Sequence, residues 1–178
     1  MTLMLRDTRS SLRQRKAFTL IELIIVIAIL GIISSIILIQ VDPLRRLHQA
    51  RNASRWSDVL SVLESVKRFQ SDNDGNLPTT ANAIDGLSTS VQIIGESVTN
   101  CTCSSQTVAP SPCGVSGLNT DLLDYIPEMP IDPISGTVND TRYYINADSY
   151  GFITVGSCGS EGEEWGGSGT GPDISIRR

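Results

Sequence analysis

One glutamate in an apolar setting is the most chemically suggestive feature of this 178-residue chain. Glu22 lies within F-T-L-I-E-L, which spans 18–23 and leads directly into a long apolar run. A charged side chain inside a membrane costs about 2.5–3.5 kcal/mol or more, so it usually has a partner or a function. Two hypotheses follow. The carboxylate reaches the membrane surface, or it meets a cation that belongs to another polypeptide.

The four cysteines, Cys101, Cys103, Cys113 and Cys158, all follow that apolar run. A bond between Cys101 and Cys103 would close a strained three-residue ring, so two pairing schemes remain. One joins Cys101 to Cys113 and Cys103 to Cys158; the other joins Cys103 to Cys113 and Cys101 to Cys158. Their C-x-C spacing is not the common zinc pair, so we favour disulfides, which persist in oxidising compartments.

No catalytic constellation emerges from the remaining residues. The sequence has no G-x-S-x-G, phosphate-binding loop or H-E-x-x-H motif. His48 is the only histidine, and we predict a surface residue rather than a ligand or a base. The sequence therefore predicts a protein that is not an enzyme and that has no catalytic residue and no cofactor.

The element that must position Glu22 is the run Leu23–Val41, which contains 19 residues and no charge. At about 1.5 Å per helical residue it spans roughly 28 Å, close to the thickness of a bilayer's hydrocarbon core. A single segment in lipid must satisfy its own backbone hydrogen bonds, so a helix is expected. Gly31, Ser34 and Ser35 would let another helix approach closely.

The charges are segregated along the chain, whose net charge is −5. Between Asp72 and Asp173 there are 14 acidic residues and one basic residue. This surplus opposes binding to phosphate backbones, and no nucleic-acid partner is expected. Two basic patches flank the apolar run, where basic residues commonly meet headgroups. They comprise Arg6, Arg9, Arg13, Arg15 and Lys16 before it, and Arg45, Arg46, Arg51, Arg55, Lys67 and Arg68 after it.

A basic leader, a small residue, F-T-L-I-E and a long apolar helix resemble the amino terminus of type IV pilins and type II secretion pseudopilins. The resemblance implies that prepilin peptidase cuts between Ala17 and Phe18 and then N-methylates Phe18. Ala17 stands where the family usually has glycine. Glu22 would be the family's assembly glutamate, paired with the amino terminus of a neighbouring subunit.

The resemblance implies a structural subunit of a type IV pilus-like filament. The prepilin would wait in the cytoplasmic membrane as a single-pass protein with its C-terminus outside, and then polymerise through its helix. Its expected partners are identical or related pilin subunits, the prepilin peptidase and methyltransferase, the inner-membrane assembly machinery, and the membrane before assembly. Two alternatives remain: a pseudopilin in a periplasmic pseudopilus, and a membrane-anchored binding protein that never polymerises.

The expected fold is α+β, with a long N-terminal helix packed on a small antiparallel β-sheet. One half of the helix spans the membrane and the other half is amphipathic. Pro43 predicts a kink, and Asp42 can cap the helix that restarts there. The predicted parts are a removed leader at 1–17, a transmembrane assembly helix at 18–41, an amphipathic continuation at 42–70, and an acidic head at 71–178 with a loop region at 79–120.

Within the amphipathic half, a weak apolar stripe and a stronger one follow each other. The weak stripe, which begins at Leu44, suits contacts between subunits, whereas the stronger one should bury against the sheet. The stronger stripe contains Trp56, Val59, Leu60, Leu63 and Val66.

Near the carboxyl end, residues 142–145 and 150–155 predict a β-hairpin around 146–149. The glycine-rich tail, 159–172, is predicted to be flexible, with Trp165 either docked on the head or exposed for a partner. Because some pseudopilin heads bind calcium near this end, the resemblance also raises a calcium site. Its candidate ligands are Asp148, Glu161, Glu163 and Glu164.

Overall fold

The computed structural model describes residues 18–78, 90–110 and 112–178. The predicted leader, including Ala17, lies outside the described residues, as does part of the predicted loop region. The chain divides into two compact units, one ending at Val41 and the other comprising Asp42–Arg178.

Helix α1 spans Leu20–Val41, 22 residues, and none of its side chains is buried. Among the described residues it is the one helix long and apolar enough to cross a membrane. The hydroxyls of Ser34 and Ser35 donate to the carbonyl oxygens of Leu30 and Ile32, each at 2.7 Å. These hydroxyls are satisfied within the helix, so α1 presents an apolar surface that no other described residue of its unit buries.

Helix α2 spans Pro43–Asp72 and contains 30 residues. Asp42 caps it: the backbone is left-handed at φ 45°, and the carboxylate accepts the Arg45 N–H at 3.3 Å. Pro43 occupies the first helical position, where its missing N–H leaves no hydrogen bond unmade. The residue predicted to kink the helix is therefore the first residue of α2.

Five strands form one sheet in the order β2-β1-β3-β4-β5. The α+β fold class is confirmed, but the sheet is mixed, because β1 and β2 run parallel. Both of these strands lie in the predicted loop region 79–120, which also contains the start of the short helix α3, Leu118–Asp121. The strands are β1 Gln92–Ile94, β2 Gly114–Val115, β3 Tyr143–Ala147, β4 Ile153–Ser157 and β5 Ser175–Arg177.

The predicted hairpin joins β3 to β4, with a turn that begins later than expected. Asn146 and Ala147 still pair with Thr154 and Ile153. The turn follows at Asp148, whose carboxylate accepts the backbone N–H groups of Tyr150 and Phe152, both at 2.9 Å. The side chain of Asp148 thus replaces ladder partners where the strands end.

The main core lies between α2 and one face of the sheet. Val59, Leu63 and Val66 are buried, as the stronger stripe predicts, whereas Trp56 and Leu60 remain partly exposed at its flank. The buried face of α2 is therefore centred slightly away from Trp56 and Leu60, and it includes Val62. The opposing residues on the sheet include Tyr143, Ile145, Ile153 and Val155.

The opposite face of the sheet is covered by the segment between β1 and β2. Ile93 and Tyr144 pack there with Cys158, and Cys103, Val98 and Val108 lie against them. The disulfides join Cys101 to Cys113 and Cys103 to Cys158, which is the first of the two schemes that the sequence left open. The longer crosslink ties this covering segment to the residue after β4.

Candidate assembly site and tail clamp

Glu22 lies in the first turn of α1, where Thr19 fixes its side chain. Its Oε2 accepts the backbone N–H of Thr19 at 2.9 Å and the Thr19 hydroxyl at 3.0 Å. The Glu22 N–H reaches the Thr19 Oγ1 at 3.3 Å. These reciprocal bonds form a capping box, which satisfies backbone donors that a helix leaves unpaired at its start.

The T-x-x-E pattern of a capping box is present in the sequence, whereas both hypotheses for Glu22 rest on its charge alone. The structure assigns Glu22 a role within its own chain that none of the sequence hypotheses included. It also leaves the charge unbalanced: within the described residues, no cationic side chain pairs with Glu22. Phe18, where the predicted new amino terminus would lie, is exposed beside it.

A second polar site holds the carboxyl-terminal tail against α2; we call it the tail clamp. It comprises His48, Arg51, Asn52 and Arg55 of α2, with Asp132, Glu161 and Glu163. The four α2 residues recur at helical spacing, so they share one face of α2. That face binds a segment that lies more than a hundred positions away in the sequence.

Arg55 is the centre of the clamp and is 1% exposed. Its Nε donates to Asp132 Oδ2 at 2.6 Å, and one terminal nitrogen donates to Glu161 Oε2 at 3.0 Å. Asn52 accepts from the same nitrogen at 2.9 Å. The sequence had grouped Arg55 and Arg51 with headgroup-facing basic residues; that interpretation is wrong, because both are used inside the head.

Asp132 completes the buried pair and is 3% exposed. Its other oxygen, Oδ1, accepts the backbone N–H groups of Ile134 and Ser135 at 3.0 and 2.9 Å. A buried charge is tolerated when it is paired and its remaining lone pairs are satisfied. Asp132 therefore ties the loop before β3 to Arg55 of α2, and Arg55 in turn binds Glu161 of the tail.

The pKa values in the clamp favour the charged forms. Burial alone would raise the pKa of Asp132, but the Arg55 hydrogen bond and the two backbone N–H groups hold it below its usual range. The pKa of Glu161 is lowered in the same way, because Arg55 and Arg51 outweigh burial. For Arg55, the hydrogen bonds to both carboxylates raise the pKa despite burial. The clamp is therefore an ionic network at neutral pH.

His48 is not the simple surface residue that the sequence predicted. Its Nδ1 lies 2.9 Å from the Gly162 carbonyl oxygen, and its Nε2 lies 3.3 Å from Glu161 Oε1. The predicted flexible tail, 159–172, is also bound to the head, because Glu161 and Glu163 accept from Asn52 and the Gly166 N–H donates to Asp42. Beyond the tail, β5 pairs with β4 through Val155 and Ile176.

Comparisons with known proteins agree with the geometry of the amino-terminal helix. The prokaryotic N-terminal methylation motif matches residues 12–38. Type II secretion system core protein G of Vibrio cholerae serotype O1 is 28% identical over 163 residues, covering 92% of each chain. Both matches support a relation to the type IV pilins and pseudopilins. No solved structure matches it.

These matches support a structural subunit of the pilin or pseudopilin type, and α1, the one membrane-length helix among the described residues, fits a membrane anchor. The residues that the resemblance proposed for calcium in this subunit lie in separate places. Asp148 caps the β3–β4 turn and pairs with Arg177, whereas Glu161 and Glu163 belong to the tail clamp, where they accept from Arg51 and Asn52. Glu164 is exposed. Across the described ranges, no three His, Cys, Asp or Glu side chains are grouped to hold a metal ion.

Proposed function

We propose that this subunit is a prepilin cut between Ala17 and Phe18, and that the N-methylated ammonium of Phe18 pairs with Glu22 of a neighbouring subunit. The observation that carries the proposal is the state of Glu22. Its carboxylate is held at the first turn of an apolar helix by neutral Thr19 groups and faces no cation within the described residues. Cleavage would supply one cation per subunit at the matching height.

The proposed pairing also sets the register of the filament. The side chains of α1 are all exposed, so a bundle of such helices would bury them together. In that low-dielectric bundle, a helix displaced along the axis would leave both charges unpaired, which is costly. The leader carries five basic residues and one acidic residue; removing it leaves the ammonium as the one cation at this end.

The filament that we favour is a type II secretion pseudopilus. The support is the relative described above, a core protein of that system that is similar over 92% of both chains. An extracellular pilus is the other candidate. Electron microscopy of cells lacking the protein, scored for surface fibres together with release of secreted proteins, separates the two: loss of secretion with unchanged fibres supports the pseudopilus.

We assign the subunit no catalytic role. Its one histidine and the buried Arg55 bind the tail, and Asp132 binds Arg55, so these groups hold the head together. The remaining rival is an anchored binding protein that never polymerises. That rival predicts an intact leader and indifference to substitutions at Glu22.

The test of assembly separates the charge of Glu22 from its capping role. Glu22→Gln removes the charge but keeps an acceptor that can complete a capping box. Thr19→Ala removes the hydroxyl that caps the helix but keeps the charge. We expect Glu22→Gln to lower the filament yield about tenfold or more through the unpaired ammonium, and Thr19→Ala to lower it far less. The reverse order would contradict the proposed pairing.

Processing is measured on the same cells. Mass spectrometry of the wild-type protein should find a chain that begins at a methylated Phe18. An Ala17→Gly variant, matching the usual residue of the family, should be cut at least as completely. Residues 1–17 still attached to most of the protein would contradict the proposal.

A further inference from the structure

An exposed tryptophan lies at the amino-terminal end of α2. Trp165 is 62% exposed and begins a short 3₁₀ turn, Trp165–Gly167. The turn is fixed in place: the Gly166 N–H donates to Asp42 Oδ2 at 2.6 Å. A Cβ on Gly167 would lie 2.9 Å from Leu44 Cγ and 2.7 Å from a ring carbon of His48, so the turn rests directly on α2.

The first turn of α2, on which the turn of Trp165 rests, has the composition of a membrane interface. Leu44 and Leu47 are 46% and 45% exposed, although both are large apolar residues. Arg45 and Arg46 are exposed. Neither has an ion-pair partner in the part of the chain that the structure describes. We call these four residues together with Trp165 the junction surface.

The covalent position of the junction surface indicates what covers it. Asp42 follows Val41, the last residue of the apolar helix α1, and Leu44 is only three positions beyond that end. Tryptophan is enriched at membrane interfaces because its ring is apolar and its N–H is polar. Arginine can lay its stem on apolar surface while its guanidinium binds phosphate.

We propose that the junction surface docks on the phospholipid interface of the membrane that holds α1, with Trp165 at the headgroup–acyl boundary. The inference rests on the proposed storage of the subunit in the membrane before assembly. It also explains what the tail clamp accomplishes. By binding residues 161–163 to α2, the clamp presents the next segment, with Trp165, at the amino-terminal end of α2.

Neither acidic group nearby forms an ion pair with Arg45 or Arg46 among the described residues. The Asp42 carboxylate accepts the N–H groups of Arg45 and Gly166. Glu164 lies against Gly169, where an added Cβ would be 2.6 Å from its carboxyl carbon. The two arginines are therefore available to lipid phosphates.

The chain supplies its own control, because it contains two tryptophans. Trp56 is 40% exposed on α2, 14 positions beyond Asp42, which is about 21 Å along the helix axis. Trp56→Phe leaves Trp165 as the single reporter, and Trp165→Phe leaves Trp56. Both full-length variants are placed in nanodiscs of phosphatidylethanolamine and phosphatidylglycerol, at one chain per disc, with lipids brominated near the headgroup.

The expected result is a blue-shifted Trp165 emission that brominated lipid quenches at least about twofold more than that of Trp56. Adding Asp42→Ala should release the turn and lower the quenching of Trp165 toward that of Trp56. Equal quenching of the two tryptophans, or none, would overturn the inference. So would a Trp165 shift that appears only when several chains share a disc, because the partner would then be a second copy.

The same samples distinguish this inference from the proposed function. A chain that floats with the lipid but leaves Trp165 unquenched overturns the docking alone, and membrane storage remains. A chain that does not stay with the lipid overturns both.

Discussion

Glu22 and Glu161 are the same residue type in two regions that treat the charge in opposite ways. Glu22 bonds to the neutral groups of Thr19 and faces no cation among the residues that the structure describes. Glu161 bonds to Arg51 at 2.8 Å and to Arg55 at 3.0 Å. The charge of Glu161 is balanced within the head and stabilises the fold, whereas Glu22, without a cation among the described residues, is the group that the proposed function pairs with a neighbouring subunit.

The two helices in these regions differ in how much of their surface the protein itself buries. No side chain of α1 is buried, but α2 buries both apolar residues and the clamp residues Asn52 and Arg55. Helix α2 is therefore part of a folding unit, whereas α1 is an apolar surface that no other described residue covers and that lipid or other subunits can cover. Substitutions in the clamp should change the stability of the head, and those in α1 should change assembly.

The largest expected effect is at the centre of the clamp. Arg55→Met should destabilise the head by about 3–5 kcal/mol, because Asp132 would be left buried without its cation. Urea denaturation of the detergent-solubilised chain, followed by tryptophan fluorescence, measures the loss. Arg45→Met is the matched control, an exposed arginine of the same helix, and should change the free energy of unfolding by less than about 0.5 kcal/mol. A similar loss in both variants would contradict the distinction.

The two disulfides should stabilise the head unequally. Their sequence separations are 55 residues for Cys103–Cys158 and 12 for Cys101–Cys113. Loop-closure entropy then predicts contributions of about 4 and about 3 kcal/mol. Replacing each pair by serines and comparing the two free energies of unfolding tests the order. A larger loss for Cys101–Cys113 would mean that the longer crosslink adds little to contacts already made by the covering segment.

The stability of the head should depend on pH through the clamp. Asp132 and Glu161 have pKa values lowered by folding. Their stabilisation is therefore present above the unfolded-state values near about 4 and is lost as the pH falls through the lower folded values. In Arg55→Met, burial should raise the pKa of Asp132 instead, so this contribution should reverse sign. Unfolding free energies of both proteins between pH 2 and pH 6 (about 25 °C) measure it; parallel curves would count against the network.

The smallest expected effect on the head is a substitution in α1. A Cβ on Gly31 would meet nothing within 4 Å, so Gly31→Leu should change the unfolding free energy of the head by less than about 0.5 kcal/mol. The filament yield should fall, because the leucine side chain would keep a neighbouring helix from the close approach that Gly31 allows. Ile33→Leu, which conserves volume on the same helix, should leave the yield unchanged. A destabilised head in Gly31→Leu would contradict the inference that α1 affects assembly without affecting the stability of the head.

Local patterns predicted the elements that depend on neighbours in sequence. Periodicity indicated α2 and the buried Val59, Leu63 and Val66, and β-strand patterning placed the hairpin within two residues of its observed turn. Trp56 and Leu60 are predicted to be buried but are partly exposed, because a helical period indicates an apolar stripe but not where its edges lie. Strand β2 has no comparable local signal, since it has two residues and gains its partner only through the parallel register with β1.

The sequence by itself determined the amino-terminal part: an uninterrupted apolar run needs no tertiary contact to be helical, because its backbone hydrogen bonds are local. It also limited the cysteines to two pairings through ring strain. Only the tertiary structure decided between them. Only the tertiary structure brought Arg55, Asp132 and Glu161 together, since their separations of 77 and 106 positions carry no local signal. Whether a charged side chain is exposed or buried depends on what packs against it, and Arg55 is buried because the loop before β3 and the tail pack against it.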